Sequence, residues 1–264
     1  TSLLKEYYPA FLTLFDDTFC KTALNLLIEY PDFDSLSLIT KGELKNFLWE
    51  NRCFKKKVVE KIFKITRSKN KFDSDPDVIK IRKSIAQKIA VKLKNLYGEL
   101  KDYEKILEEL SQDDEDVNIF RSLPGSGLIT SVGLLLIFGR DRNNFMSAQE
   151  VSSISGVVPV TVQSGKYKHD KFRSSCNKMY RNILRQFAFS SLTNSKWALS
   201  YYKRKRNEGK KNDHALRCLA RLWVKVAFAM WKSKTCYDEN RHLADMIKHG
   251  FDNQLSKKIA NAKI

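Results

Sequence analysis

Residues 76–110 read PDVIKIRKSIAQKIAVKLKNLYGELKDYEKILEEL, and their periodicity decides what kind of chain this is. Val78, Ile81, Ile85, Ile89, Leu93, Leu96, Leu100, Tyr103, Leu107 and Leu110 follow one another by three or four residues, with Lys and Glu prominent between them. That spacing lays a single apolar seam along one long helix. Three consecutive steps of four between Ile81 and Leu93 make a stutter in the heptad pattern. The seam reads either as a coiled-coil dimerisation arm over 75–116 or as a helix lying on the body of its own chain. Asp75 is the expected N-cap and Pro76 the first helical residue, with acids at the positive end of the helix dipole. The run from Asp73 to Asp77 is not a calcium loop, because Val78 stands where a glycine is needed and Ser84 where a glutamate is needed.

Working outward, Leu24, Leu27 and Ile28, then Leu44, Phe47 and Leu48, then Val58, Val59, Ile62 and Phe63 recur at helical spacing. Pro31 and Gly42 separate these runs, so 1–74 reads as several short packed helices. Downstream, Leu123-Pro-Gly-Ser-Gly marks a turn that opens an apolar helix ending near Gly139. A short helix at 147–155 follows, then β-branched residues between Gly156 and Gly165 that suggest a strand or hairpin. Helices are expected at 177–192, 195–207 and 213–232. The fold class is therefore mainly α, with a small β-hairpin or turn in a C-terminal domain over 120–237 and a basic tail over 238–264.

The net charge of +18 is unevenly placed. Residues 1–119 hold 21 Lys and Arg against 21 Asp and Glu, while 120–264 hold 27 against 9. An excess confined to one half points to a polyanionic partner of that half, with nucleic acid the default and an anionic membrane the weaker reading. Cys20, Cys53, Cys176, Cys218 and Cys236 are odd in number and widely spaced, with no CxxC pair and no histidines at zinc-ligand spacing. They indicate a reducing compartment and no structural metal. No signal peptide is visible and the longest apolar stretches are too short to cross a bilayer, so a cytoplasmic protein without membrane contact is expected. The chain begins with Thr1 and its methionines are internal, so a segment upstream is expected.

The densest basic run comprises Lys166, Lys168, Lys171, Arg173, Lys178, Arg181 and Arg185, with Asp170 the one acid among them. It starts on a Gly-Ser turn and continues into an amphipathic helix, a pattern that favours phosphate contact over a merely solvated face. Gly125 and Gly127 allow a backbone cradle for a phosphate at a helix N-terminus, and equally a structural loop. Lys203 to Arg206, preceded by Trp197, Tyr201 and Tyr202, could follow a nucleic-acid backbone with aromatic support, or the aromatics could be core. Ser164 stands in Gln163-Ser-Gly-Lys ahead of the cations. A serine hydroxyl attacks phosphorus only when it loses its proton and the phosphate charge is neutralised; the cations supply the second condition alone. His169 is more simply a phosphate or solvent contact than a general base. On spacing, Ser164 is a turn serine.

Leu123-Pro-Gly-Ser-Gly, Phe145-Met-Ser-Ala, Gly156-Val-Val-Pro, Gln163-Ser-Gly-Lys, Arg181-Asn-Ile-Leu-Arg, Tyr201-Tyr-Lys-Arg and Ala215-Leu-Arg-Cys-Leu-Ala-Arg-Leu together resemble, in order and spacing, the C-terminal domain of the transposases of insertion-sequence family one-ten. These are relatives of the Piv DNA invertases. Leu3-Leu-Lys-Glu-Tyr-Tyr-Pro-Ala resembles the family's middle region, so 1–74 would be a helical linker following a RuvC-like domain that lies outside this chain. The resemblance implies that Ser164 is the nucleophile joined covalently to DNA and that Gly165 forms its turn. Lys166, Lys168, Lys171, Arg173, Lys178, Arg181 and Arg185 would be phosphate contacts. It also implies four acidic residues holding magnesium on the RuvC-like domain, so that this chain carries no metal site of its own. The implied partners are DNA, a guide RNA and a second copy of the chain, in a bacterial or archaeal, nucleoid-associated setting. Cys176 stands where the family usually has a glycine. A non-catalytic nucleic-acid-binding module or a degenerate transposase remnant is the alternative reading.

Overall fold

A computed structural model describes residues 1–54, 56–67, 75–164, 167–171 and 173–248. The chain divides into two compact units, Thr1–Tyr103 and Glu104–Ile264. In the first, short helices are set by local capping. These are α1 (Ser2–Lys5), α2 (Phe11–Leu14), α3 (Lys21–Glu29), α4 (Phe33–Ser37), α5 (Lys41–Glu50) and α6 (Lys56–Thr66). Asp32 caps α4 by accepting from the Ser35 N–H at 2.7 Å. Thr40 and Glu43 form a reciprocal capping box at the start of α5. The core of this unit is built from Tyr8, Phe11, Leu14, Leu26, Leu36, Leu44, Leu48 and Ile62, all essentially inaccessible to solvent.

The long helix α7 (Pro76–Ser111) starts where the sequence places it, at Pro76, with the Asp77 N–H donating to Asp75 Oδ1 at 2.9 Å. Its first half divides its faces. Ala86 and Ala90 are buried in the core of the first unit, where their small side chains allow close approach. Lys83 pairs with Asp32, and the Gln87 side-chain amide donates to the Ile28 carbonyl at 2.9 Å. Leu93 of the apolar seam packs against that same core, while most of the seam is exposed: Ile81, Ile85, Ile89, Leu96, Leu100, Tyr103 and Leu110 all face solvent, Leu110 at 76%. The first half of α7 thus lies on the body of its own unit through Ala86 and Ala90.

The second unit contains α8 (Glu115–Arg121), α9 (Leu128–Phe138), α10 (Ala148–Ile154), β1 (Val160–Ser164), β2 (Tyr167–Lys171), α11 (Lys178–Asn194), α12 (Lys196–Asn207), α13 (Asn212–Ser233) and α14 (Glu239–Lys248). Strands β1 and β2 pair antiparallel, Val160 opposite Lys171 and Ser164 opposite Tyr167. The mainly α class with a small hairpin is what the sequence gives reason to expect. Helices α11, α12 and α13 pack on α8, α9 and α10 around Phe120, Phe138, Leu184, Phe187, Trp197, Leu219, Trp223 and Trp231.

Three buried indoles anchor that core, and each finds a polar partner, as burial of an N–H requires. Trp223 donates to Ser191 Oγ at 2.8 Å, Trp197 to the Tyr237 hydroxyl at 3.1 Å and Trp231 to the Gly139 carbonyl at 2.8 Å. Trp197 is thus core, which removes it from any aromatic track for nucleic acid. The described start of the segment read as a basic tail is α14, whose Leu243 and Met246 pack against the same core.

Candidate nucleic-acid interface

The Ser164 hairpin is fixed at its feet by backbone geometry. Gly156 adopts φ +65°, and a Cβ there would come within 2.5 Å of Cys176 Sγ, so glycine lets the two feet close on each other. Cys176, at the position where a glycine was anticipated, is accommodated by that contact. Val157 is buried and its N–H donates to the Ser152 carbonyl at 3.1 Å. On the other foot, the Arg173 carbonyl accepts from Arg181 Nη1 at 3.2 Å. Asn177 caps α11 by accepting from the N–H groups of Met179 and Tyr180. With its feet tied to α10 and α11, the hairpin carries Gln163 and Ser164 exposed at the end of β1.

The expected site residues fall into groups. Ser164 is exposed on the hairpin, with Lys178 and Arg181 on the first turns of the helix that follows it. Arg173 is half-buried at the hairpin foot and donates to the Ser153 carbonyl at 3.5 Å. Arg185 is engaged in an ion pair, its Nε and Nη2 donating to Asp213 Oδ1 at 3.1 and 3.0 Å. Lys168 and Lys171 lie on β2, and the placement of their side chains lies outside the description, as do Gly165 and Lys166 altogether. Gly127 is the exposed N-cap of α9. Gly125 has φ +80°, and a Cβ there would meet the Ser190 carbonyl oxygen at 2.6 Å. Close approach of the turn to α11 therefore explains that glycine without a phosphate.

A cluster outside the expected set lies at the hairpin foot. Gly156, Val157, Val158 and Pro159, with Arg173, form one wall of a cleft of about 500 Å³. Tyr201, Lys205 and Lys210 supply another part. His214, Arg217, Cys218, Arg221, Leu222 and Lys225 line it from α13. The α13 residues recur by three or four, so they form one helix face. The opposite face, with Leu216, Leu219, Ala220, Trp223 and Val224, is buried in the core. Burial holds Arg217 below its ordinary guanidinium value despite Asp213 nearby, and pushes the Tyr201 hydroxyl up to about 12. The signal was present in the sequence as Arg217, Arg221 and Lys225 at steps of four; a scan for density of charge favours 166–185 instead.

Acidic side chains concentrate at Asp113 to Asp116, and two of them, Asp114 and Asp116, are committed to structure. Arg142 makes a two-armed pair with Asp116, donates to the Trp231 carbonyl at 3.0 Å and stacks over the Trp231 ring. Arg140 pairs with Asp114, which also caps α8. The hydrogen bond from Arg142 holds the Asp116 carboxyl below its ordinary range. Among the described residues no group of His, Cys, Asp or Glu is disposed to hold a metal, and no helix is long and apolar enough to cross a membrane.

Residues 117–203, which run from within α8 to within α12 and include the hairpin and Ser164, match the transposase IS116/IS110/IS902 family. Similar proteins include the insertion element IS900 uncharacterized 42 kDa protein of Mycobacterium paratuberculosis, 29% identical over 157 residues. That match covers 58% of this chain and 39% of the relative. The insertion element IS110 uncharacterized 43.6 kDa protein of Streptomyces coelicolor is 31% identical over 121 residues, covering 46% of this chain and 30% of the relative. The insertion element IS116 uncharacterized 44.8 kDa protein of Streptomyces clavuligerus is 28% identical over 150 residues, covering 56% and 37%. The aligned region thus spans well under half the length of each of these relatives.

Proposed function

We propose that this chain is the part of an insertion-sequence transposase that binds DNA and presents a serine nucleophile, Ser164, for strand cleavage and joining. The observation that carries the reading is the exposure of Ser164 at the end of a hairpin strand inside the matched transposase domain. The helix that follows the hairpin, α11, carries Lys178 and Arg181 on its first turn. In the proposed step, Ser164 Oγ bonds to the phosphorus of a DNA phosphodiester as one deoxyribose oxygen leaves. The proton lost by the serine is matched by the proton taken up on the departing hydroxyl. Attack by a hydroxyl of a second strand then reverses the exchange and frees the serine. The cations neutralise the phosphate so that the oxyanion can approach.

Among the described residues no group is disposed to hold the magnesium implied by the family resemblance. Activation of the hydroxyl is therefore assigned to groups contributed from outside these residues. A guide RNA would occupy the same basic half of the chain. A second copy would meet the exposed seam residues of α7, among them Ile85, Ile89, Leu96 and Leu100, with basic residues between them before Glu99 and acidic residues more frequent after it.

The test joins this chain to an intact acidic metal-binding domain and incubates it with a plasmid carrying the element ends. A covalent protein–DNA adduct is expected on a denaturing gel for the wild type, and neither adduct nor recombinant for Ser164→Ala. Recombination by the alanine variant at the wild-type rate refutes the nucleophile assignment and leaves a non-catalytic binding module.

A further inference from the structure

The cleft between the hairpin foot and α13 has a composition that neither the Ser164 reading nor the core explains. Arg173, Lys205, Lys210, Arg217, Arg221 and Lys225 line it, and no carboxylate is among the described residues that do. Lys205 is paired with Glu208, which lies outside the lining. Gathering like charges around a concavity raises the free energy of the unliganded protein, because each cation is repelled by its neighbours and partly stripped of water. Such an arrangement persists where an anion supplies the compensation. Two guanidinium groups of the lining are also short of partners. The Nε groups of Arg173 and Arg221 are buried with no hydrogen-bond acceptor, a costly state for a guanidinium N–H.

The cleft is also not uniformly polar. Val158, Pro159, Leu222 and the ring of Tyr201 give it apolar wall surface beside the cations, and Lys205 lies over that ring. A bare inorganic anion has no use for that wall, whereas a nucleotide presents a phosphate on one side and a flat, weakly polar sugar and base on the other. A volume of about 500 Å³ lies within the range of small-molecule sites and admits a group of nucleotide size, not a duplex. Position argues the same way. Val160 begins β1 and Ser164 ends it, so the cleft and the serine are separated by the length of one five-residue strand, about 16 Å. A single strand can span that distance while touching both.

We propose that this cleft is a second nucleic-acid site, which holds one nucleotide of an unpaired strand by its phosphodiester, with Arg221 and Lys225 as phosphate contacts, and so anchors the strand whose other part lies at the hairpin. The proposal rests on the domain's binding nucleic acid but not on Ser164 as nucleophile. Arg221 and Lys225 would then contribute to affinity at the expense of fold stability. Removing them relieves repulsion in the free protein while it removes two phosphate contacts.

The experiment is a fluorescence anisotropy titration of the full chain with a 5′-labelled twelve-nucleotide DNA strand, the same strand as a blunt duplex, and an RNA of the same sequence. Salt is varied between about 50 and 200 mM. The double variant Arg221→Gln with Lys225→Gln is expected to bind the single strand on the order of tenfold more weakly at low salt. Its plot of log affinity against log salt should be shallower by about 0.7, because the two cations neutralise one phosphodiester and each phosphate neutralised on a single strand adds roughly 0.7 to the slope. The weakening on duplex should be smaller, and comparison of the DNA and RNA strands identifies which one the cleft prefers. The melting temperature should be unchanged or raised. Arg221→Lys, which keeps the charge, should retain the wild-type slope. Lys225→Gln alone, at an exposed position, should show about half of the slope change and remains informative if the double variant fails to fold. An unchanged slope in a folded double variant overturns the proposal. So does a loss of binding that Arg221→Lys reproduces together with a lower melting temperature, since that pattern marks a packing role. An unchanged slope with a normal serine adduct defeats this inference alone; a missing adduct with the expected slope change defeats the serine reading alone.

Discussion

Replacing Gly125 by alanine separates the two uses that a glycine-rich turn can have. Gly125 sits at φ +80°, where an L-residue with a Cβ costs about 1–2 kcal/mol. The added methyl would also lie 2.6 Å from the Ser190 carbonyl oxygen, 2.7 Å from its carbon and 3.0 Å from the Ser191 nitrogen. Those atoms are backbone near the C-terminal end of α11, so they cannot swing aside as a side chain does. Ser191 next to them accepts the buried Trp223 indole N–H, so a shift there strains a hydrogen bond at the centre of the core. Overpacking of this kind costs about 1–3 kcal/mol. The sum of the two contributions is about 2–5 kcal/mol, a fall of roughly 5–15 °C for a domain of this size. Gly127 provides the control. Its φ is −86° and a Cβ there meets nothing within 4 Å, so Gly127→Ala should cost only about 0.5 kcal/mol, mostly through a poorer N-cap. Thermal unfolding followed by circular dichroism, with DNA binding measured well below both transitions, checks the pair. Wild-type melting by Gly125→Ala together with lost DNA binding would refute the steric reasoning and make the turn a phosphate cradle.

Two further expectations follow from ion pairing and from the exposed seam. Asp116→Asn should destabilise the second unit by about 2–3 kcal/mol, because it leaves the Arg142 guanidinium largely buried with only the Trp231 and Arg140 carbonyls as acceptors. The Asp116 carboxyl is held below its ordinary value, so its contribution is fully present above about pH 4 and is lost as pH falls through the lower folded value. The asparagine variant should therefore lose less stability between neutral pH and pH 3 than the wild type, and parallel acid titrations of the two would contradict this. Leu96→Lys with Leu100→Lys should shift sedimentation from dimer to monomer without lowering the melting temperature of either unit, since both side chains are exposed; a monomeric wild type would remove the second copy from the proposed function.

What the sequence could and could not disclose follows the range of the interactions involved. Helix positions were legible because periodicity and caps are local: Pro76 begins α7, Gly139 ends α9 at φ +73°, and α13 spans the apolar repeat from Ala215 to Trp231. The hairpin was legible from β-branched residues between glycines. Whether a particular side chain faces core or solvent was not, where a helix has two usable faces. In α7 most of the long aliphatic residues are exposed, and the two alanines, which carry little hydrophobic signal, made the close approach to the body with Ile79 and Leu93 beside them. Trp197 looked available to a nucleic acid because it precedes a basic run, and only the placement of Trp223 and Tyr237 around it decides that it is core.

The same distinction explains why the basic surface was found in part. Charge density along the chain located the run from Lys166 to Arg185, because neighbours in sequence add up in any window. It could not show that Arg185 is paired with Asp213, 28 positions away, or that Arg173 stands across a cleft from a cationic stripe on α13. Arg217, Arg221 and Lys225 are diluted in sequence by the core residues between them, and only the helix brings them onto one face. An electrostatic footprint in a helical protein is thus better sought at steps of three and four than as a run. By that measure the second polyanion surface here is α13, not the segment where the cations are densest.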